Sequence, residues 1–186
     1  MRLPMPFWSV GDVNITNLAK IISSIDEDKW KEWSLRQTKF DVHKNTNSIP
    51  FIWNQWDVES RLFNLDYMNQ NSQLWEVLKP FLSRLVNKYD GVIVNCLFAR
   101  LKAGTDIKPH KDISLNLLLV HRIHLVIITS PSVQFFIDNT PYEFPAGRIF
   151  ELSNDRFHSV RNNSDRDRVH LIVDILPNYF RPFIKK

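Results

Sequence analysis

A chain of 186 residues with 44% hydrophobic and 24% charged side chains can bury one core, and its composition is not that of a disordered protein. The longest apolar run, "IHLVII", falls far short of the roughly 20 residues that cross a bilayer, which argues against a membrane protein. The formal net charge of +4 comes from Lys and Arg interleaved with acids, without a basic tract or an aromatic RNP-like pattern, so it does not mark a nucleic-acid binder.

In chain order, "MRLPMPFWSVGDVN" carries a Pro-broken apolar patch with no small-residue cleavage site and does not read as a signal peptide. Asn14 or Thr16 can cap a helix over "NLAKIISSID", with Leu18, Ile21 and Ile22 on one face. "SIPFIWNQWD" reads as a strand with Trp53 and Trp56 at or near its end. "SQLWEVLKPFLSRLVNKYDG" repeats Leu74, Val77, Leu78, Phe81, Leu82, Leu85 and Val86 at helical spacing; Pro80 predicts a kink or a split there, and Gly91 a stop.

From Gly91 onward strands dominate: "VIVNCLFARLK", "HRIHLVIIT", "VQFFID", "RIFELS", "FHSVRN" and "RVHLIVDIL", separated by turns such as "LKAGTD", "DNTP" and "NNSDRD". This spacing predicts a mainly β protein with flanking helices, built as a sandwich, jelly roll or small barrel. A single domain over residues 1–186 is expected. Residues 1–90 would supply helices and strands that pack on the core, 91–177 the core itself, and 178–186 a C-terminal tail. Cys96 is the only cysteine, so no internal disulfide forms; a reducing, cytoplasmic location is the expectation.

Five of the six histidines fall between His110 and His170. Each has an ordinary reading as a polar residue on a strand, and chance alone supplies a pair such as His110-x-Asp112 in a chain of this size. Side-chain alternation sharpens the question. Arg122, His124 and Val126 share one face of their strand, and Arg168, His170, Ile172 and Asp174 share one face of theirs. His110 and Asp112 can meet one metal from one strand end, and a histidine from a later strand would complete a two-His, one-carboxylate face. That set leaves octahedral positions open and suits iron(II) oxygenases. His158, which opens a strand after "LSNDRF", is the best remaining candidate. Arg168 follows ten residues later, within reach of the same cavity, where it could pair bidentately with a carboxylate. A zinc hydrolase could use the same ligands, yet no H-E-x-x-H motif offers its general base. A jelly-roll binding module without turnover explains the strands and aromatics but gives Arg168 no role.

Taken together, "LKAGTDIKPHKD", "RIHLVIITSPSVQFFID" and "GRIFELSNDRFHSVRNNSDRDRVHLIVDILP" resemble the aspartyl/asparaginyl β-hydroxylase family of iron(II)- and 2-oxoglutarate-dependent oxygenases, over about residues 93–177. The resemblance implies a double-stranded β-helix (jelly-roll, cupin-like) core and a dioxygenase that hydroxylates an amino acid, free or as an Asp/Asn side chain in a peptide or protein. 2-Oxoglutarate and O2 would be cosubstrates, and succinate and CO2 would be released. Carried over to this chain, it implies that His110, Asp112 and His158 ligate iron(II) and that Arg168 binds the distal carboxylate of 2-oxoglutarate. Arg122 and His124, in "RIHL", would line the cosubstrate or substrate pocket. With Arg168 assigned, Arg122 is the cation left for a substrate carboxylate, and Trp53 and Trp56 are candidates for a substrate wall, although tryptophans near a strand end more often cover core.

Overall fold

The structure is a computed structural model and describes residues 3–57 and 59–185; the ends of the expected domain range, and Val58, lie outside the described residues. Eleven strands and five α-helices follow in the order β1 (Phe7–Asp12), α1 (Thr16–Ser23), α2 (Glu27–Lys31), α3 (Leu35–Lys39), a 3-10 turn (Asp41–His43), β2 (Thr46–Asp57), β3 (Leu62–Tyr67), α4 (Gln73–Tyr89), β4 (Gly91–Leu101), β5 (Asp106–His110), α5 (Leu115–Leu118), β6 (His121–Ile128), β7 (Val133–Ile137), β8 (Thr140–Tyr142), β9 (Arg148–Leu152), β10 (His158–Asn162) and β11 (Arg168–Pro177) among the described residues. A second 3-10 helix, Asn178–Phe183, follows β11. Seven strands form one sheet in the order β1-β9-β6-β11-β4-β2-β3, and four form a second in the order β5-β10-β7-β8. The strands within each sheet pair antiparallel. The two sheets face each other as a jelly roll, the core expected from the strand spacing.

Alternation along the central strands separates two layers of packing. On β6 and β11, Ile123, Leu125, Ile127, Val169, Leu171, Val173 and Ile175 turn outward, onto Leu18 and Ile22 of α1 and Leu74, Leu78, Phe81, Leu82 and Leu85 of α4. The opposite face looks into the space between the sheets, where Val126 and Phe150 of the large sheet meet Phe135, Ile137 and Val160 of the small one. Both faces of β11 are covered and all of its residues are buried, so apolar and polar residues alternate on it with no exposed side.

Helix α4 runs through Pro80 without the split that the sequence allowed. Pro80 is exposed, so water can satisfy the carbonyl that its missing N–H leaves free. An internal proline costs about 3 kcal/mol, whereas burying a Leu or Phe side chain contributes roughly 1.5–3 kcal/mol each; the five buried side chains of this helix outweigh it. The helix ends at Asp90, which takes the left-handed conformation (φ 43°), and not at Gly91, which opens β4. A Cβ on Gly91 would lie 2.6 Å from Leu176 O, so close packing against β11 requires glycine there.

Residue 90 does not mark a boundary between layers. β1 pairs with β9, and β2 pairs with β4, so the first half of the chain supplies strands of the same large sheet. The C-terminal segment lies along β3, where the Lys185 N–H donates to Phe63 O at 2.9 Å.

Candidate metal centre

β5 and β10 are neighbours in the small sheet, and their register sets His110 directly opposite His158. The two rings lie 4.3 Å apart, centroid to centroid. Asp112, two residues past the end of β5, is pinned by its backbone N–H, which donates to Asn154 O at 3.0 Å. One ligand atom from each of His110, Asp112 and His158 falls within 4.8 Å of the others, a cluster of the size a single metal ion needs.

Both histidines are oriented by the same device. The Nδ1 of His110 lies 2.8 Å from Lys108 O, and the Nδ1 of His158 lies 3.1 Å from Arg156 O. A carbonyl only accepts, so each Nδ1 carries the proton and each Nε2 keeps a free lone pair for a metal. The Nε2 of His158 is 3.6 Å from Asp112 Oδ2. Burial brings the His158 pKa down to about 4, which keeps the ring neutral at physiological pH. Burial alone would raise the Asp112 pKa, but Arg122, His158, His110 and Arg36 together hold it well below the ordinary carboxylate range.

Behind these ligands lies a chain of buried polar contacts. Arg122 of β6 stands opposite Asp174 of β11, and its Nε and Nη2 each donate to that carboxylate at 2.8 Å. Its Nη1 contacts Asp112. Asn95 Nδ2 donates to Asp174 at 2.7 Å, and Asn95 Oδ1 accepts the Asn54 N–H at 2.9 Å. Arg122 is therefore not the free cation expected for a substrate carboxylate: two acids already hold it, and they raise its pKa despite burial. It supports Asp112.

Arg168 is different. It is only 3% exposed, its Nη2 lies 2.6 Å from His170 Nδ1, and its Nε has no partner. Among the described residues no carboxylate pairs with it. Burial, with the charge of Arg36 nearby, lowers its pKa to about 9, so it stays cationic at neutral pH. Of the polar residues that share its strand face, His170 contacts Arg168, whereas Asp174 is taken up by Arg122 and Asn95. His124 stacks on Phe150 at 5.0 Å with its Nε2 buried and without a partner. Arg166 is exposed in the turn before β11.

His110, Asp112, His158, Arg122, His124 and Arg168 all line one cavity of about 450 Å³, counting its opening to solvent. Among the described residues Asp112 is the only acid in that lining. Neither Trp53 nor Trp56 belongs to it, contrary to the substrate wall expected of them. Trp53 packs on Leu97, Ala99 and Ile172, the last two of which line the cavity, and Trp56 sits edge-on to Phe63 at 4.9 Å in a separate apolar cluster. A strand end exposes one side of an indole while its body seeks apolar contact, and here core contact decides. His121 turns to the other face of β6, where its Nδ1 meets Glu151 at 2.7 Å. Arg36 and His43 also line the cavity. Neither carried a sequence signal, because the short α3 and the 3-10 turn lack a hydrophobic period.

Four buried histidines make the metal-free protein sensitive to acid. Burial lowers the His43 pKa to about 2 and that of His158 to about 4, and pushes His124 and His170 well below the usual value of 6.5. The unfolded chain then binds more protons than the folded one below pH 6.5, so stability falls as pH falls through that window. Each histidine is worth about 1.4 kcal/mol per pH unit. Denaturant titrations of metal-free protein at pH 7.5 and 5.5 should therefore differ by about 3–5 kcal/mol. A difference below about 1 kcal/mol would mean that these rings protonate within the fold.

The sequence model of the Aspartyl/Asparaginyl beta-hydroxylase family matches residues 11–177. The chain belongs to this family. The match takes in α1, β2 and α4 as well as the motif-bearing strands, so membership extends well beyond residues 93–177. No curated protein is a significant match to the sequence. Among solved structures, an oxidoreductase of the 2OG-Fe(II) oxygenase family from Burkholderia pseudomallei aligns at TM-score 0.52 and 12% identity over 70% of this chain and 67% of its own. The viral collagen prolyl hydroxylase from Paramecium Bursaria Chlorella virus-1, solved as a 2OG complex, aligns at TM-score 0.57 and 7% identity over 92% of this chain and 96% of its own. These two likenesses bear on the fold of the family member, and they agree with the facing antiparallel sheets.

Proposed function

We propose that this chain, a hydroxylase by family, is an iron(II)- and 2-oxoglutarate-dependent dioxygenase that oxidises a C–H bond of an amino acid, free or within a peptide or protein. One observation carries the reading: the His110–Asp112–His158 cluster opens on the same cavity as Arg168, a buried cation with no acid to pair with. Two imidazoles and one carboxylate suit iron(II), and they leave coordination positions for other ligands. When bound, iron(II) with 2-oxoglutarate and O2 would supply the oxidising power, with succinate and CO2 as the cosubstrate's products.

The chain's own residues have the remaining tasks. The carbonyls of Lys108 and Arg156 fix the tautomer and aim of the two histidines. Asp174 and Arg122 hold Asp112 in place. Arg168 would receive the distal carboxylate of 2-oxoglutarate, and Phe135, 6.0 Å from its guanidinium carbon, keeps water from that end. A zinc hydrolase would need a general base beside the metal, and among the described residues the lining offers no acid besides the ligand Asp112.

The test is anaerobic addition of iron(II) and 2-oxoglutarate, then exposure to O2 with a panel of free amino acids and Asp/Asn peptides. Stoichiometric succinate and a hydroxylated product are expected. A jelly-roll binding module would bind ligand without consuming 2-oxoglutarate. The supporting role of Asp174 gives a further expected result. Asp174→Asn weakens the hold on Arg122, and therefore on Asp112, and should lower iron(II) affinity by about 10–100-fold with the fold retained. Unchanged iron affinity in that variant would confine Asp174 to packing.

A further inference from the structure

The cavity holds one cation more than the metal and cosubstrate require. Of the arginines that line it, Arg122 is held by Asp112 and Asp174, and Arg100 by Glu27 and Asp167. Arg168 and Arg36 remain, and neither has a carboxylate partner among the described residues. 2-Oxoglutarate presents one carboxylate away from a metal, and a bidentate pair with Arg168 would engage both of its oxygens. Arg168 belongs to β11 in the wall of the jelly roll. Arg36 comes from α3, in the N-terminal segment that also brings His43 to the cavity. The Nη1 of Arg36 and the Nδ1 of His43 are both buried without a hydrogen-bond partner. A guanidinium nitrogen buried without a partner costs stability unless an anion arrives.

We propose that Arg36 is the anchor for a carboxylate of the substrate, and so the residue that restricts this enzyme to acids. The inference rests on the dioxygenase reading. The pairing of charges supports it. Asp112 and Asp174 hold Arg122, Glu27 and Asp167 hold Arg100, and a 2-oxoglutarate carboxylate would meet Arg168, which leaves Arg36 without an anion. Among the described residues no unpaired acid of the lining could receive an ammonium group, so a substrate amine, where present, points to the mouth. The expectation of a substrate carboxylate is thereby kept, with its partner moved from Arg122 to Arg36.

The test uses calorimetric titration of the anaerobic protein loaded with iron(II) and 2-oxoglutarate. The probes are acid and amide pairs: L-aspartate with L-asparagine, L-proline with L-prolinamide, and a single-Asp peptide amide with its Asn counterpart. Wild type should bind the acid of at least one pair at least about tenfold more tightly than its amide. Arg36→Gln should erase that preference, while iron(II) and 2-oxoglutarate affinities stay within about twofold of wild type. Arg36→Lys, which keeps the charge without the fork, should retain part of it. Thermal melts of both variants check that the fold is intact.

Several results overturn the proposal: acid binding in Arg36→Gln equal to wild type, no acid preference in any pair, or no probe bound at all. A loss of 2-oxoglutarate affinity in Arg36→Gln also overturns it, since Arg36 would then be the cosubstrate's anchor. Failure of wild type to form any iron–2-oxoglutarate complex is a different result, and it removes the dioxygenase reading itself.

Discussion

Replacing His158 with alanine is expected to abolish turnover and to lower iron(II) affinity by more than about 100-fold, the upper end of what losing a mere supporting partner costs. His158 opens β10 opposite His110, and its loss leaves two ligands where the cluster has three. Asp112 would then remain paired with Arg122 alone, an arrangement that does not favour a divalent ion. The strand should survive, because β10 is held on both sides by β5 and β7. Anaerobic titration with iron(II) and 2-oxoglutarate, followed through the visible charge-transfer band, reads the effect directly. His121→Ala is the matched control: His121 lies on the opposite face of β6 against Glu151, and its removal should leave the band intact. A His158→Ala protein with the full band and full activity would take this residue out of the metal site.

The parts of this site that were legible in the sequence are those governed by strand alternation. On β6 and β11 the pairs Arg122/His124 and Arg168/His170 are each spaced two apart in largely apolar runs, and period-two geometry puts the two residues of each pair on one side of their strand. Pairing was not legible. That Arg122 meets Asp174 depends on the register of β6 against β11, which shifts between Val169 and His170, and no local signal announces such a shift. The consequence is chemical, since the register turns Arg122 from a free cation into a support for Asp112. The strand β1 was missed because Pro4 and Pro6 break the apolar patch just before it; its pairing with β9 then comes from tertiary contact. Residues 35–43 were silent for a related reason. α3 buries no residue completely, so no apolar stripe marks it, and yet it delivers Arg36 to the cavity.

Arg168→Ala should weaken 2-oxoglutarate binding by about 30-fold to several-thousand-fold, the equivalent of about 2–5 kcal/mol for truncating one partner of a buried charge-assisted pair. The side chain starts from the first residue of β11, opposite Leu101 of β4, and its guanidinium is sealed between the sheets. His170 occupies Nη2, so Nε and the remaining amine edge are the donors open to a carboxylate. Iron(II) affinity should change little, because the ligands stand on β5, the loop after it and β10, in the other sheet. The defect should therefore appear as a raised 2-oxoglutarate KM with the metal retained. Arg168→Lys tests shape apart from charge: a point charge on a flexible stem cannot reproduce the fork, so partial loss is expected. Arg166→Ala is the register control. Arg166 is exposed in the preceding turn, and its carbonyl, not its side chain, is what Asn162 contacts at 2.9 Å. Its replacement should leave the 2-oxoglutarate KM unchanged. If the defect followed Arg166 and spared Arg168, the cosubstrate would approach from the turn and not from between the sheets.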